Sequence, residues 1–89
     1  MRDAIHAVIK SYLCEQFKSV REENEWSKKT MAEKLSMDPR SYANLESGES
    51  ACGSVTFVAF LFVVLPPERR AAVLNELCER IRKVLSDVA

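Results

Sequence analysis

Residues 26–48 read WSKKTMAEKLSMDPRSYANLESG, and this stretch decides the fold because it predicts two short helices joined by a tight turn. Ser27 suits the N-cap of the first helix, since a serine hydroxyl accepts from the free N–H groups of the first turn. Asp38 is the matching N-cap of the second helix, and Pro39 follows at the first helical position, where a missing N–H costs nothing. Gly48 fits the left-handed residue that ends many helices.

Apolar residues in this stretch recur at helical spacing, which predicts one inward face on each helix. The residues expected to face inward are Met31, Ala32, Leu35, Tyr42, Ala43 and Leu45. The residues expected to face outward from the second helix are Pro39, Arg40, Ser41 and Asn44. A short helix with small, polar, hydrogen-bonding residues near its N-terminal end suits insertion into a DNA major groove.

The whole chain of 89 residues predicts a single all-α domain with five helices. The expected helices are at about residues 3–23, 27–35, 38–46, 54–65 and 67–86, and the first and last are long. Ser54 is expected to cap the fourth helix, and Pro66 is expected to end it. The apolar content of 47% is enough for a modest core.

Several other functions are not expected from this composition. Cys14, Cys52 and Cys78 are odd in number and widely spaced, which argues against a disulfide framework or zinc site and for a reducing cytoplasm. His6 has no second histidine for a metal site, and it lies two helical turns from Cys14, too far for a catalytic pair. We therefore expect no enzyme activity, no metal and no cofactor.

No membrane segment or signal peptide is expected either. The longest apolar run, residues 55–65, has 11 residues, whereas a membrane span needs about 20. The N-terminal sequence MRDAIHAVIK lacks the apolar run of a signal peptide.

Charge gives a mixed signal for nucleic-acid binding. The chain has 13 basic and 13 acidic residues, whereas many DNA-binding domains are basic overall. Between Lys28 and Arg40, however, Lys28, Lys29, Lys34 and Arg40 outnumber Glu33 and Asp38. Such a mildly basic face predicts weak binding per subunit at physiological salt, and weak binding per subunit favours a dimer.

The expected fourth helix is apolar on every side, so it has to be buried on every side. Two arrangements satisfy this requirement. The long first and fifth helices wrap the fourth helix, or a second copy of the chain covers it in a homodimer formed through the fourth helix, the terminal helices or both.

Three motifs carry a family resemblance. Residues 17–21 (FKSVR) have the form apolar-x-x-apolar-Arg, residues 26–28 (WSK) precede a small Ala32, and residues 45–48 (LESG) have the form apolar-Glu-x-Gly. In this spacing the stretch from Phe17 to about Leu61 resembles the helix-turn-helix domain of the lambdoid phage repressors and the bacterial regulators related to them, the XRE family. The sequence departs from the family at Ser36, where the turn usually has glycine, and at Tyr42, where a branched aliphatic residue is usual.

The resemblance implies specific roles for residues of this chain. Arg21 and Glu46 would form a partly buried ion pair that joins the first and third helices. Lys28, where the family usually has Gln, would contact a phosphate. The expected DNA-contacting residues are Lys28, Lys29, Pro39, Arg40, Ser41, Asn44 and Ser47.

The first functional hypothesis is a sequence-specific regulator of transcription, acting as a repressor that binds double-stranded DNA as a homodimer. The alternative is a protein-interaction module that has the helix-turn-helix fold without DNA binding. Net neutrality and the apolar fourth helix favour this alternative. Strong salt dependence of duplex binding distinguishes the two hypotheses.

Overall fold

A computed structural model describes residues 2–88, and it confirms the all-α prediction. The helices are α1 (Arg2–Glu23), α2 (Lys28–Lys34), α3 (Pro39–Ser47), α4 (Ser54–Ala59) and α5 (Pro67–Val88), and a π-helical turn (Phe60–Val64) follows α4 directly. No strand occurs between residues 2 and 88. Except at the fourth helix, every end lies within two residues of the predicted bound.

Side-chain caps fix the ends of the two short helices as the sequence predicts. The Ser27 hydroxyl accepts from the backbone N–H of Thr30 at 3.1 Å, and the Asp38 carboxylate accepts from that of Ser41 at 3.2 Å. Gly48 ends α3 with φ 85°, in the left-handed region that favours glycine. Local hydrogen bonds therefore set where α2 and α3 begin.

The turn between α2 and α3 places a residue other than glycine in the left-handed region. Ser36 has φ 56°, and the backbone N–H of Met37 donates to the carbonyl of Ala32 at 3.0 Å across the turn. A residue with a Cβ pays about 1–2 kcal/mol for this conformation. The serine that departs from the family pattern is therefore a local cost to stability.

The core is built around four fully buried aromatic rings from α1, α3 and the π-helical turn. Phe17 contacts Phe60 and Tyr42 edge-on, with ring centroids 4.8 and 6.4 Å apart. Tyr12 is the fourth ring. The remaining buried apolar residues are Leu13, Val20, Met31, Ala32, Leu35, Leu45, Leu61, Leu65, Val73 and Leu77.

Helix α5 packs along α1 through one buried hydroxyl and two ion pairs. The Tyr12 hydroxyl donates towards the carbonyl of Val73 at 3.4 Å and the carboxylate of Glu76 at 3.2 Å. Burial, followed by the charge of Glu76, raises the pKa of Tyr12 to about 12. The ion pairs join Arg69 to Glu23 at 2.7 Å and Arg80 to Glu15 at 3.4 Å.

The fourth helix differs from its prediction in shape. Ser54 is its first residue, not its cap, and Gly53 precedes it without a side-chain hydrogen bond. The α-helix ends at Ala59, and the backbone N–H of Leu65 then donates to the carbonyl of Phe60, five residues back. Leu65 is extended, with φ −81° and ψ 139°, because the residue before a proline is pushed out of the helical region.

Arg70 of α5 donates a hydrogen bond to the π-helical turn. The wide turn leaves the carbonyl of Leu61 without the N–H of Leu65 as its partner, and Arg70 Nε donates to that carbonyl at 2.7 Å. The same guanidinium lies 4.4 Å from the ring centroid of Phe62. The Arg70 side chain therefore supplies the hydrogen-bond partner of the Leu61 carbonyl and makes a cation–π contact with the ring of Phe62.

Of the two arrangements considered for the fourth helix, the structure does not have the one in which α1 and α5 wrap it on every side. Four apolar side chains remain exposed on α4 and the π-helical turn: Val55 (81%), Val58 (53%), Phe62 (61%) and Val63 (67%). We call these four residues the α4 patch. The core takes only the opposite side of this segment, at Phe60 and Leu61. No helix within residues 2–88 is both long enough and apolar enough to cross a membrane.

Candidate nucleic-acid interface

The apolar side of helix α3 packs in the core, and the first turn of α3 lies at the surface. Tyr42 and Leu45 are buried in the core, and Ala32 and Leu35 of α2 are buried with them. Ala43, predicted to face inward, is only half-buried. The apolar side of α3 thus fixes its orientation relative to α1 and α2.

An ion pair of Arg21 and Glu46 adds a polar attachment between α1 and α3. Arg21 Nε and Nη2 donate to the two carboxylate oxygens of Glu46 at 2.8 and 2.7 Å, a bidentate geometry. Arg21 Nη1 also donates to the carbonyl of Trp26 at 3.1 Å, so the pair reaches the segment before α2. This is the pairing that the family resemblance implies.

The ion pair is largely removed from water, and its environment favours the charged forms. The side chains of Arg21 and Glu46 are 16% and 6% exposed. Burial is the largest single effect and raises the pKa of Glu46, but the hydrogen bonds and charge of Arg21, the Tyr42 hydroxyl and the charge of Lys28 together outweigh burial and lower that pKa. The hydrogen bonds to Glu46 likewise raise the pKa of Arg21. Both groups are therefore charged at neutral pH.

Tyr42 lies beside this ion pair with its hydroxyl unsatisfied. The side chain is fully buried, and the hydroxyl has no hydrogen-bond partner among the described residues. Burial, and then the nearby carboxylate of Glu46, raise the pKa of Tyr42. This hydroxyl therefore lies among the charged groups of the ion pair and is no part of the exposed surface.

The predicted base-reading residues divide into three exposed positions and one half-buried position. Pro39, Arg40 and Ser41 are exposed in the first turn of α3. Asn44, also expected to face outward, is half-buried and lines a pocket at the surface. Ser47 is exposed, but its hydroxyl donates to the carbonyl of Asn44 at 3.1 Å.

Local hydrogen bonds limit what two of these hydroxyls can offer to a ligand. The Ser41 hydroxyl donates to the Asp38 carboxylate at 3.3 Å, and the side-chain and backbone hydrogen bonds from Ser41 lower the pKa of Asp38. With their hydrogens used, Ser41 and Ser47 have lone pairs left to accept. Arg40 makes no hydrogen bond or ion pair with its side chain in the described part of the chain, so its five donors are free.

Cations are distributed unevenly over the surface. In the part of the chain that the structure describes, Lys28, Lys29, Lys34 and Arg40 take part in no ion pair, whereas three arginines of α5 do. Lys34 Nζ instead lies 4.4 Å from a ring centroid of Trp26. Trp26 is half-buried and packs against the edge of the core. The exposed side of α2 and α3 therefore has more positive than negative charge, because these four cations outnumber Glu33 and Asp38.

A shallow pocket of about 260 Å³ lies beside α3 and is bordered by the loop that follows it. Ser41 and Asn44 line one wall. The loop residues Ser50, Ala51 and Gly53 line the other wall. The polar side of α3 thus borders a concave surface formed by the segment between α3 and α4.

Sequence reasoning missed three polar residues on α1. Arg2, His6 and Lys10 line a second pocket, of about 310 Å³, together with Ala51 and Cys52 of the same loop. His6 is exposed. The signal was present in the sequence, because a spacing of four residues places all three side chains on one side of a helix.

Comparison with protein-family models, with curated proteins and with solved structures found no match to this chain. The resemblance to the lambdoid repressors therefore stays a prediction from sequence motifs. Among residues 2–88, no three His, Cys, Asp or Glu side chains are grouped so that they could hold a metal ion.

Proposed function

We propose that the protein is a sequence-specific regulator of transcription that binds double-stranded DNA with α3 as its recognition helix and acts as a repressor. The observation that carries this proposal is the exposed first turn of α3, where Arg40 has no partner among the described residues, beside the unpaired cations Lys28 and Lys29. Such a turn offers hydrogen-bond donors to base edges and positive charge to phosphates.

Each side chain has a role that follows from its exposure and chemistry. Arg40 presents a planar donor fork that suits the two acceptors of guanine in the major groove. Asn44, half-buried at the pocket wall, pairs with adenine or holds a phosphate. Lys28 and Lys29, exposed at the start of α2, bind phosphates without reading sequence.

The base-reading role of Arg40 is tested by comparing how well the native chain and an Arg40 variant discriminate between DNA sequences. Duplexes are selected from a random pool, and affinities for the selected and a scrambled duplex are then measured by fluorescence anisotropy for the native chain and for Arg40→Ala. Loss of the arginine fork is expected to cost about 1–3 kcal/mol of discrimination at one base pair. The matched control is Arg82→Ala on the exposed side of α5, which is expected to keep the native preference. Equal discrimination by the native chain and Arg40→Ala would contradict the proposal.

We further propose that two copies assemble through the α4 patch. A chain with zero net charge binds DNA weakly per subunit, and a symmetric dimer doubles the number of phosphate contacts. The α4 patch is apolar and exposed, with a contact from α5 only at Phe62 through Arg70, and an isologous interface would bury the same patch on both copies. Binding to two adjacent half-sites would require the recognition helices of the two copies to lie about 34 Å apart, one turn of the DNA helix.

The dimer is tested by the mass in solution. Val58→Glu places a charge in the α4 patch, whereas Ser86→Glu adds the same charge at an exposed position of α5. Light scattering over a range of concentrations is expected to give a dimer for the native chain and for Ser86→Glu, and a monomer for Val58→Glu. A native chain that remains monomeric at tens of micromolar contradicts assembly through this patch.

The second candidate is a protein-interaction module in which α2 and α3 have only a structural role. Zero net charge and the exposed α4 patch favour it. In that case the native chain would bind neither specific nor random duplexes at low salt. The same anisotropy titration therefore separates the two candidates.

A further inference from the structure

A row of basic side chains runs along the first half of α1. Arg2, His6 and Lys10 are four residues apart, so they share one side of the helix. We call these three residues the α1 stripe. Arg2 and His6 are exposed, and Lys10 is half-buried.

The α1 stripe adjoins the surface proposed to read DNA. It borders the loop after α3 at Ala51 and Cys52, across the pocket of about 310 Å³. Ala51 is also a wall of the pocket of about 260 Å³ that contains Ser41 and Asn44. The loop therefore has the recognition side of α3 on one flank and the α1 stripe on the other.

The first half of α1, which contains the α1 stripe, has a net positive charge. Glu15 and Glu23, in its second half, pair with arginines of α5. Arg2 and Lys10 form no ion pair within residues 2–88. Asp3 is the acid nearest to the stripe: it lines a third pocket, of about 440 Å³, with His6 and Lys10 and offsets one of the two charges.

We propose that the α1 stripe binds phosphates of DNA that lie outside the segment contacted by α2 and α3, so that the footprint extends along one strand past the α3–α4 loop. This inference rests on the proposed DNA-binding function. Arginine and lysine form charge-assisted hydrogen bonds with phosphate oxygens, and such contacts add affinity without reading sequence. The stripe would thus compensate for the low net charge of the chain.

The test compares two duplex lengths and two charge-neutralising variants. One duplex ends at the edge of the selected sequence, and the other has about 10 further base pairs, one helical turn, on each side. The variant Arg2→Gln/Lys10→Gln removes the charges of the stripe, and Arg82→Gln/Lys83→Gln removes two charges from the exposed side of α5. Circular dichroism verifies that both variants are folded.

On the long duplex, the stripe variant is expected to lower the slope of log K against log salt by about two, since each lost phosphate contact removes about 0.9. Selected and random sequences should weaken by the same factor, and on the short duplex the variant should match the native chain. The α5 control should match the native chain on both. The native chain itself should show a steeper slope on the long duplex than on the short one, a result that needs no variant.

Two other outcomes overturn the inference, and they are distinguishable. If the native chain binds selectively but the slope is equal for both duplex lengths, or equal for the stripe variant, the stripe contacts no flanking phosphate and the proposed function stands. If the native chain binds neither duplex at low salt, the proposed function fails and the extended footprint fails with it.

Discussion

Replacing Glu46 by alanine should destabilise the fold strongly, because it leaves the guanidinium of Arg21 without its carboxylate. Breaking one partner of a buried ion pair costs about 3–5 kcal/mol. Arg21 keeps its hydrogen bond to the carbonyl of Trp26 and is 16% exposed, so some solvation remains and the lower end, about 3 kcal/mol, applies. At about 4–8 °C per kcal/mol for a domain of this size, the midpoint of thermal unfolding should fall by about 12–24 °C.

Urea denaturation followed by circular dichroism at pH 7 gives this free energy directly. The same experiment on Arg21→Met/Glu46→Leu provides the internal control, because replacing both charges with apolar groups leaves no buried charge unpaired. The double variant should therefore be more stable than Glu46→Ala. A Glu46→Ala protein that unfolds at the native urea concentration would refute the reasoning about this ion pair.

The ion pair also predicts how stability depends on pH. The pKa of Glu46 is lowered in the folded state from its ordinary value of 4.5. A lowered carboxyl pKa contributes stability that is complete above the unfolded-state pKa and is lost as the pH falls through the folded-state pKa. The stability of the native chain relative to Glu46→Gln should thus be constant at neutral pH and shrink below about pH 5. A difference that grows on acidification would contradict this assignment.

Five further substitutions test three local features, each by urea denaturation. Ser36→Gly should raise the free energy of unfolding by about 0.5–1 kcal/mol, since relief of left-handed strain exceeds the entropy cost of glycine; a decrease would contradict the strain. Tyr42→Phe should leave stability unchanged or raised, because its hydroxyl has no partner among the described residues, whereas Tyr12→Phe should lose about 1 kcal/mol with its hydrogen bonds. Arg70→Ala should cost about 1–3 kcal/mol by leaving a carbonyl of the π-helical turn unpaired, while Arg82→Ala, in an exposed ion pair, should cost less than about 1 kcal/mol.

The helix ends around the turn were predictable because their causes are local. Ser27, Asp38 and Gly48 act through hydrogen bonds and backbone angles within a few residues, and each cap is present as predicted. The pairing of Arg21 with Glu46 spans 25 residues, and it was expected only through the family motif. Local chemistry alone does not identify partners so far apart in sequence.

The surroundings of the fourth helix could not be predicted from the sequence. Its apolar run predicts burial, but composition does not say whether the covering surface comes from the same chain. Phe62 and Val63 are exposed, and α5, which begins at Pro67, packs on α1. The π-helical turn itself depends on a donor from Arg70, a contact that no local pattern predicts.

The candidate interface was predictable as a location but less so in detail. Exposure of Pro39 and Arg40 follows from helical periodicity, and both are exposed. The half-burial of Asn44 depends on the loop at Ser50 and Ala51, whose path has no helical period to reveal it. The hydrogen bond that the Ser41 hydroxyl donates could be expected, because the carboxylate of the N-cap residue Asp38 lies close to it.

The most direct test of DNA binding through α2 and α3 is the salt dependence of duplex affinity for the native chain and for Lys28→Gln/Lys29→Gln. Anisotropy titrations between about 50 and 200 mM salt give the slope of log K against log salt. We predict a steep negative slope for the native chain, reduced by about two in the variant because two phosphate contacts are lost. A native chain that fails to bind at 50 mM salt, or a slope that the variant does not change, would contradict the assignment of this surface to DNA.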